Sequence, residues 1–402
     1  SGFSHAETWS QVSARASHRG RGSFFVSSLS GLPNRWFPPI FLQDRVDSSQ
    51  DLERSIDTVA TTIELKLHDW RFLVCSDHDM VATSAARLIR QFGLRLPSTT
   101  VSPSVRAVVE IRIDDEPMPA NGIVVANHLD VEVRKSPSGL WVGDGISGAR
   151  VDPVRNHVEI RLPQELASTT IPTRRHVVVW YSILTLLRCH GLFALHSAAV
   201  APEDAHGLLI VGQSGCGKST LALNLLRAGW RFGSDDSVLL SRNGDAEIVA
   251  LPLRPGLQAK QVEAEADREA GCWDGRIRSS GERFALDVSS AYPGMTFDII
   301  RPRILIFPRL RAGRRSGVEH LSMQDAVYEL LSASHITELE PSMATTHLRM
   351  MRDLAGSCRS YRLFAGPELR TDPGAAHTLL TPLFGPQVSV VANATRHAAK
   401  AR

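Results

Sequence analysis

The chain has 402 residues, of which 43% are hydrophobic and 22% charged, an ordinary globular composition. This length predicts two or three domains, whose cores need neither disulfides nor metals for stability. A net charge of +3 does not indicate a nucleic-acid partner. No apolar run reaches the roughly 18 residues of a membrane span, so we expect neither nucleic acid nor a membrane as partner.

The cysteines are few and widely spaced, and none forms a CxxC pair. This spacing disfavours both a disulfide framework and a zinc site. It is typical of a reducing compartment, so we predict a cytoplasmic protein.

The first half of the chain predicts a tail and a small domain. Residues 1–50 lack a steady hydrophobic period and are predicted to be a disordered basic tail. Residues 51–190 are predicted to form a small α+β domain. Its predicted strands are residues 58–67, 71–75, 107–113, 122–125, 130–134, 139–142 and 157–162. A helix begins at Asp79 and ends near residue 92, and a second covers residues 172–188.

The second half, residues 191–390, predicts a catalytic domain, followed by a frayed tail at residues 391–402. Strands at residues 193–200 and 207–211 lead into a glycine-rich loop, and a helix follows at residues 218–228. Further strands are predicted at residues 237–240 and 304–307. A helix at residues 323–331 has Ser322 as its predicted cap.

The glycine-rich loop matches the phosphate-binding pattern between a strand and a helix. Its glycines let successive N–H groups point at phosphate oxygens, and the helix N-terminus adds its dipole. Lys218 brings a cation to the β- and γ-phosphates, and the Ser219 hydroxyl can ligate Mg²⁺. The loop therefore predicts binding of ATP with Mg²⁺. The predicted nucleotide contacts are Gly212, Gln213, Ser214, Gly215, Cys216, Gly217, Lys218, Ser219 and Thr220.

Two adjacent carboxylates, Asp235 and Asp236, begin only 17 residues after Lys218. The strand that carries them must therefore follow the phosphate helix directly. Two such acids can divide the work of phosphoryl transfer, because one can hold the metal while the other accepts the proton of an attacking hydroxyl.

Residues 195–200, 207–220 and 228–236 together resemble the kinase domain of bacterial HPr kinase/phosphorylase and its relatives. The resemblance covers roughly residues 193–384. It implies an α/β fold, with a P-loop kinase domain of the HPr-kinase/PEP-carboxykinase-like type preceded by the small α+β domain.

The resemblance also implies roles for the matching positions. His196 matches a histidine near the transferred phosphate, and Lys218 and Ser219 match the phosphate and Mg²⁺ ligands. Asp235 matches the general base and Asp236 a metal-side acid, although these two roles can be exchanged. Apart from the resemblance, the basic segment at residues 271–284 is a candidate either to close over the γ-phosphate or to clamp an acidic substrate, with Arg283 as its best single residue.

One family signature, beginning Glu-Val-Arg-Gly, is absent, and this chain has residues 251–257 in its place. The resemblance therefore does not extend to phosphorolysis or to HPr as substrate. It points instead to the HPr-kinase-like proteins encoded near peptide-modification systems, which include lasso-peptide serine kinases. The implied reaction is transfer of the γ-phosphoryl group to a serine of a peptide or protein, such as a ribosomally made precursor.

Other functions remain open at this point. One alternative is a small-molecule kinase acting on a free hydroxy amino acid or a sugar. Another is a nucleotide-gated binding module with little turnover, which the paired aspartates disfavour because such a module needs no base. The chain lacks an Asn-Lys-x-Asp guanine reader, which disfavours a GTPase. We leave open whether the chain forms a homo-oligomer.

Overall fold

A computed structural model of the chain describes residues 61–68, 70–91, 105–114, 122–128, 131–137, 139–164, 176–202, 206–243, 247–253, 256–260, 278–280, 283–311, 313 and 315–385. These residues belong to one compact unit. The tails predicted at residues 1–50 and 391–402 lie outside the described residues. No helix in the described ranges is both long and apolar enough to cross a membrane.

The secondary structure divides into an N-terminal group of strands, a later group of strands, and the helices. The N-terminal strands are β1 (Thr61–Leu67), β2 (Trp70–Ser76), β3 (Val105–Ile113), β4 (Ile123–His128), β5 (Val131–Ser136), β6 (Gly139–Gly143), β7 (Gly148–Asp152) and β8 (His157–Leu162). The later strands are β9 (Phe193–Leu195), β10 (Ser197–Ala201), β11 (His206–Val211), β12 (Arg231–Ser234), β13 (Ser237–Asn243), β14 (Glu247–Leu253), β15 (Gly256–Lys260), β16 (Arg278–Ser280), β17 (Arg283–Asp287), β18 (Arg301–Leu310), β19 (Gly317–His320), β20 (Thr337–Glu338) and β21 (Arg359–Ala365). The helices are α1 (Asp79–Gln91), α2 (His176–Cys189), α3 (Lys218–Arg227), α4 (Val288–Ala291), α5 (Met323–Ser332), α6 (Pro341–Ser357), α7 (Glu368–Thr371) and α8 (Pro373–Leu380).

The eight N-terminal strands and β20 form a nine-stranded sheet in the order β1-β2-β3-β8-β7-β6-β5-β4-β20. Strand β8 shows why one face of this sheet is buried, since Val158, Ile160 and Leu162 alternate with more exposed residues and are themselves fully buried. Apolar residues of α1 and α2 belong to the same hydrophobic core. The predicted strands here are confirmed within a few residues, while β7 was not predicted.

The last strand of this sheet comes from the second half of the chain. Strand β20 pairs antiparallel with β4, with Thr337 opposite Asn127 and Glu338 opposite Ala126. Leucines of β13 and β14 also belong to the core of the N-terminal sheet. The core is therefore shared across the predicted domain boundary at residue 190, and the division into domains stays a prediction.

A six-stranded sheet carries the glycine-rich loop, in the order β12-β10-β11-β18-β21-β19. Strands β11, β18 and β21 are parallel, so their carboxyl ends meet at one edge of the sheet. Strand β10 runs antiparallel to both β11 and β12. The start of β10 and the end of β12 therefore reach that same edge, where ligands commonly bind in open α/β sheets.

One predicted element is wrong in a way that matters for the site. Residues 193–200 were expected to form a single strand, but β9 and β10 belong to different sheets and separate at His196. The His196 N–H donates to the Ala333 carbonyl oxygen at 2.8 Å, and the Ser197 N–H donates to that of Asp236 at 3.1 Å. Hydrogen bonds to these distant residues fix the point at which the chain leaves the sheet of β9 and enters the sheet of β10.

Candidate functional site

The glycine-rich loop joins the end of β11 to the start of α3. Gly215 has φ +86° and Gly217 has φ +97°, a left-handed conformation that other residues adopt only under strain. Gly217 is also the cap of α3, so the amide groups of the first helical turn, which have no partner within a helix, begin at the loop. The loop therefore has the backbone shape of an anion-binding helix start.

A cavity of about 280 Å³ opens beside this loop. Most of the predicted site residues line it. They are His196, Ser214, Gly215, Cys216, Gly217, Lys218, Ser219, Thr220, Asp235 and Asp236. The topology explains the convergence, because each of these residues lies at the edge of the six-stranded sheet where β11 and β12 end and β10 begins.

Lys218 is almost completely buried, and its ammonium group is held by the protein. Its Nζ donates to the carbonyl oxygens of Gly212 at 2.7 Å and Gln213 at 3.0 Å, and it lies 2.8 Å from His196 Nε2. An ammonium group has three protons, so all three have a protein acceptor here. Burial lowers the pKa of Lys218, while the charges of Asp236 and Asp235 act in the opposite direction.

His196 bridges this lysine and the second aspartate. Its Nδ1 lies 3.5 Å from Asp236 Oδ1, while its Nε2 accepts from Lys218. In a neutral imidazole the ring nitrogen facing the ammonium must be the acceptor, so the proton is assigned to Nδ1 and faces the carboxylate. Lys218, His196 and Asp236 therefore form one connected polar chain.

The two aspartates lie in the short turn between β12 and β13. The backbone N–H groups of Asp236 and Ser237 donate to Ser234 Oγ at 3.4 and 3.2 Å, which fixes the turn. Asp235 is only 2% exposed, although it borders the cavity. Asp236 is more accessible and accepts a hydrogen bond from the Ser237 hydroxyl at 3.1 Å.

The far wall of the cavity was not predicted from the sequence. It is mostly apolar and comes from the ends of β18 and β21 and from α7. Its residues are Pro308, Leu310, Leu363, Ala365, Leu369 and Arg370. The buried Asn224 of α3 holds this wall against the loop helix, because its Nδ2 donates to the Leu369 carbonyl oxygen at 2.6 Å. No local motif marks these residues, since they meet only through the sheet.

The basic segment predicted at residues 271–284 is described only in part. Residues 261–277, which include Arg276, lie outside the described residues. Arg283 begins β17, where it pairs with Lys260 and Ser280. The location of its side chain is outside what the structure describes, so its role in closing the site stays a prediction.

Comparisons with known proteins give one short sequence match. No protein-family model matches the chain. Over 44 residues the chain is 43% identical to HPr kinase/phosphorylase from Chlorobium phaeobacteroides (strain BS1), a match that covers 11% of this chain and 13% of that protein. The structure of the Hpr(Ser) kinase/phosphatase from Coxiella burnetii aligns with 40% of this chain and 87% of its own at 12% identity, with a TM-score of 0.23 that supports no inference. The chain is therefore HPr-kinase-like over a short segment of its sequence.

Proposed function

We propose that this chain is a phosphotransferase that moves the γ-phosphoryl group of ATP to a serine hydroxyl of a peptide or protein. The observation that carries the proposal is the convergence of Lys218, Asp235 and Asp236 on one cavity at a helix N-terminus. Phosphoryl transfer depends on positioning and on charge stabilisation around the phosphates, together with a base for the acceptor. A cation, the amides of a helix N-terminus and two carboxylates supply these requirements.

The loop and Lys218 would hold the phosphates. Because the three protons of Lys218 already have protein acceptors, a bound phosphate must take the place of at least one of them. His196 is the acceptor most easily replaced, since the two loop carbonyls belong to the curled backbone itself. Phosphate binding would then release His196 from the lysine while leaving it beside Asp236.

The residues present fit a Mg²⁺ ion that also takes phosphate oxygens. Within the described ranges no group of three or more His, Cys, Asp and Glu side chains forms a metal site on its own. Mg²⁺ is usually held by one or two carboxylates plus substrate phosphates, which requires fewer protein ligands. Ser219 and Asp236 would supply these ligands, and the bound ion would neutralise charge on the phosphates.

Asp235 would act as the base. Its carboxylate would accept the proton of the serine hydroxyl while the serine oxygen bonds to the γ-phosphorus. The bond from that phosphorus to the β–γ bridging oxygen breaks, and ADP leaves. The short match to HPr kinase/phosphorylase supports a protein or peptide acceptor, and a ribosomally made precursor peptide is the class we propose.

The test is transfer of label from [γ-³²P]ATP with Mg²⁺ to cell extract and to synthetic precursor peptides. Wild type should label a serine, while Asp235→Asn should still bind ATP but transfer about 10²- to 10⁴-fold more slowly. Asp353→Asn is the matched control, because Asp353 lies on helix α6, pairs with Arg242 of β13 and does not line the cavity. Label found only as free phosphate, or normal transfer by Asp235→Asn, would contradict the proposal.

A further inference from the structure

His335 lies outside every motif, yet it contacts the polar chain at the cavity. It lies between α5 and β20, two residues before Thr337 begins the strand. Its Nε2 lies 2.9 Å from the Ser237 hydroxyl, which in turn donates to Asp236 Oδ2 at 3.1 Å. Its ring also meets the His196 ring edge to face, with centroids 5.5 Å apart at 88°. His335 therefore reaches Asp236 through Ser237 and touches His196 directly.

The number of available protons fixes the direction of the hydrogen bonds that join His335, Ser237 and Asp236. A serine hydroxyl has one proton, and an ionised carboxylate can only accept. The Ser237 proton is therefore used on Asp236, so His335 Nε2 must donate to Ser237 Oγ. On its other oxygen, Asp236 faces His196 Nδ1. Asp236 Oδ2 thus accepts from the Ser237 hydroxyl, which His335 supports, and Asp236 Oδ1 faces the second histidine, His196.

The N-terminal half of the chain holds His335 in place. The Tyr181 hydroxyl of α2 donates to the His335 carbonyl oxygen at 3.3 Å, and the His335 N–H donates to that of Ala194 at 3.3 Å. Three residues later, Glu338 forms a buried ion pair with Arg188 of α2 at 3.1 Å. The backbone of His335 therefore has little freedom, which suits a residue that orients another group.

We propose that His335 is a positioning residue for the phosphotransfer site. It orients Asp236 through Ser237 and restricts the orientation of the His196 ring. The proposal rests on the function proposed above. It assigns His335 no contact with ATP or with the acceptor. Its loss should therefore lower kcat and raise the Mg²⁺ concentration needed for half-maximal nucleotide binding, with little effect on the contacts that the loop makes with the phosphates.

Two substitutions at His335 separate hydrogen bonding from shape. His335→Phe keeps a ring against His196 but removes the donor, while His335→Gln restores an N–H near the place of Nε2. We expect His335→Phe to lower kcat about 3- to 10-fold with KM for ATP changed less than about two-fold. His335→Gln should stay within about two-fold of wild type. His320→Phe is the matched control, since His320 is exposed, meets the ring of Tyr361 and does not line the cavity.

Ser237→Ala breaks the same connection from its other end, and it serves as the test should His335→Phe not fold. It should cause a loss of similar size, and the double variant should be no worse than the poorer single variant. Equal losses in His335→Phe and His335→Gln would overturn the proposal, as would additive losses in the double variant or a fully active Ser237→Ala.

A binding assay separates this proposal from the proposed function. A fluorescent ATP analogue titrated with Mg²⁺ needs no turnover. His335→Phe should raise the half-saturating Mg²⁺ concentration about 3- to 10-fold, and His335→Gln should not. A wild-type chain that binds the analogue but transfers no phosphate would refute the proposed function alone, and this titration would then decide on His335. A chain that binds no nucleotide would refute both.

Discussion

His347 provides a sharp test of how burial controls a titratable group in this fold. The residue is 5% exposed on helix α6, where its ring stacks on Phe193 with centroids 4.9 Å apart. Its Nε2 lies 3.1 Å from the Ser334 hydroxyl. Burial lowers the pKa of His347 to about 4, and the positive charge of Arg188 acts in the same direction. His347 is therefore neutral in the folded chain at pH 7.

The consequence is a loss of stability in acid. The ordinary pKa of 6.5 applies in the unfolded chain, which therefore takes up the proton first as the pH falls. Stability due to the neutral histidine is complete above pH 6.5 and is lost between 6.5 and about 4. A shift of this size corresponds to about 3 kcal/mol in full, and to about 2.5 kcal/mol at about pH 4.5.

Urea unfolding at pH 7 and at about pH 4.5, followed by circular dichroism, measures this loss. His347→Gln removes the titrating group, while every other histidine and carboxylate still titrates. The drop in unfolding free energy should be about 2.5 kcal/mol larger for wild type than for His347→Gln. His320→Gln, an exposed control, should show the wild-type drop. If wild type and His347→Gln lose the same amount, the burial argument is wrong.

Three other substitutions test separate parts of the structure. Lys218→Met should weaken ATP binding by about 10- to 100-fold in calorimetry, because a charge-assisted contact is lost, and unchanged affinity would contradict its placement. Arg188→Met should lower the free energy of unfolding in urea by about 3–5 kcal/mol, because it leaves Glu338 charged and buried. Adding Glu338→Leu should recover most of this loss. Asn224→Ala should lower the free energy of unfolding by about 1–3 kcal/mol, because it leaves the Leu369 carbonyl without its hydrogen bond. It should also raise KM for ATP, because Leu369 lines the cavity. A variant with wild-type stability and normal KM would refute this.

Local patterns were sufficient for the elements around the glycine-rich loop. The strand before Gly212 and the helix from Lys218 are as predicted, because capping and periodicity act within a few residues. Ser322 likewise caps α5, since its side chain accepts from the Asp325 N–H. The spacing from Lys218 to Asp235 also predicted that the acids follow the loop helix closely, and both line the same cavity.

Long-range contacts decided what local patterns could not. The apolar run at residues 193–200 gives no sign of a break, because the break is made by Ala333 and Asp236, which are distant in sequence. The sequence likewise gives no reason to connect His335 with Ser237, 98 residues apart. Leu369 and Arg370 reach the cavity only because β21 lies beside β18 in parallel. The residues that carry the chemistry were therefore easier to predict than the long-range contacts that bring them together.

The pairing of β20 with β4 has a consequence for any attempt to divide the molecule. A fragment ending near residue 191 would lose β20, and the outer edge of β4 would then present unpaired N–H and C=O groups to solvent. Such an open edge recruits further strands, so the fragment should self-associate. The same truncation would remove Leu251, Leu253 and Ile336 from the hydrophobic core and expose the apolar residues that they pack against. The two residues of β20 thus protect the edge of β4 from aggregation, and a soluble N-terminal fragment would need another strand or a charged edge in their place.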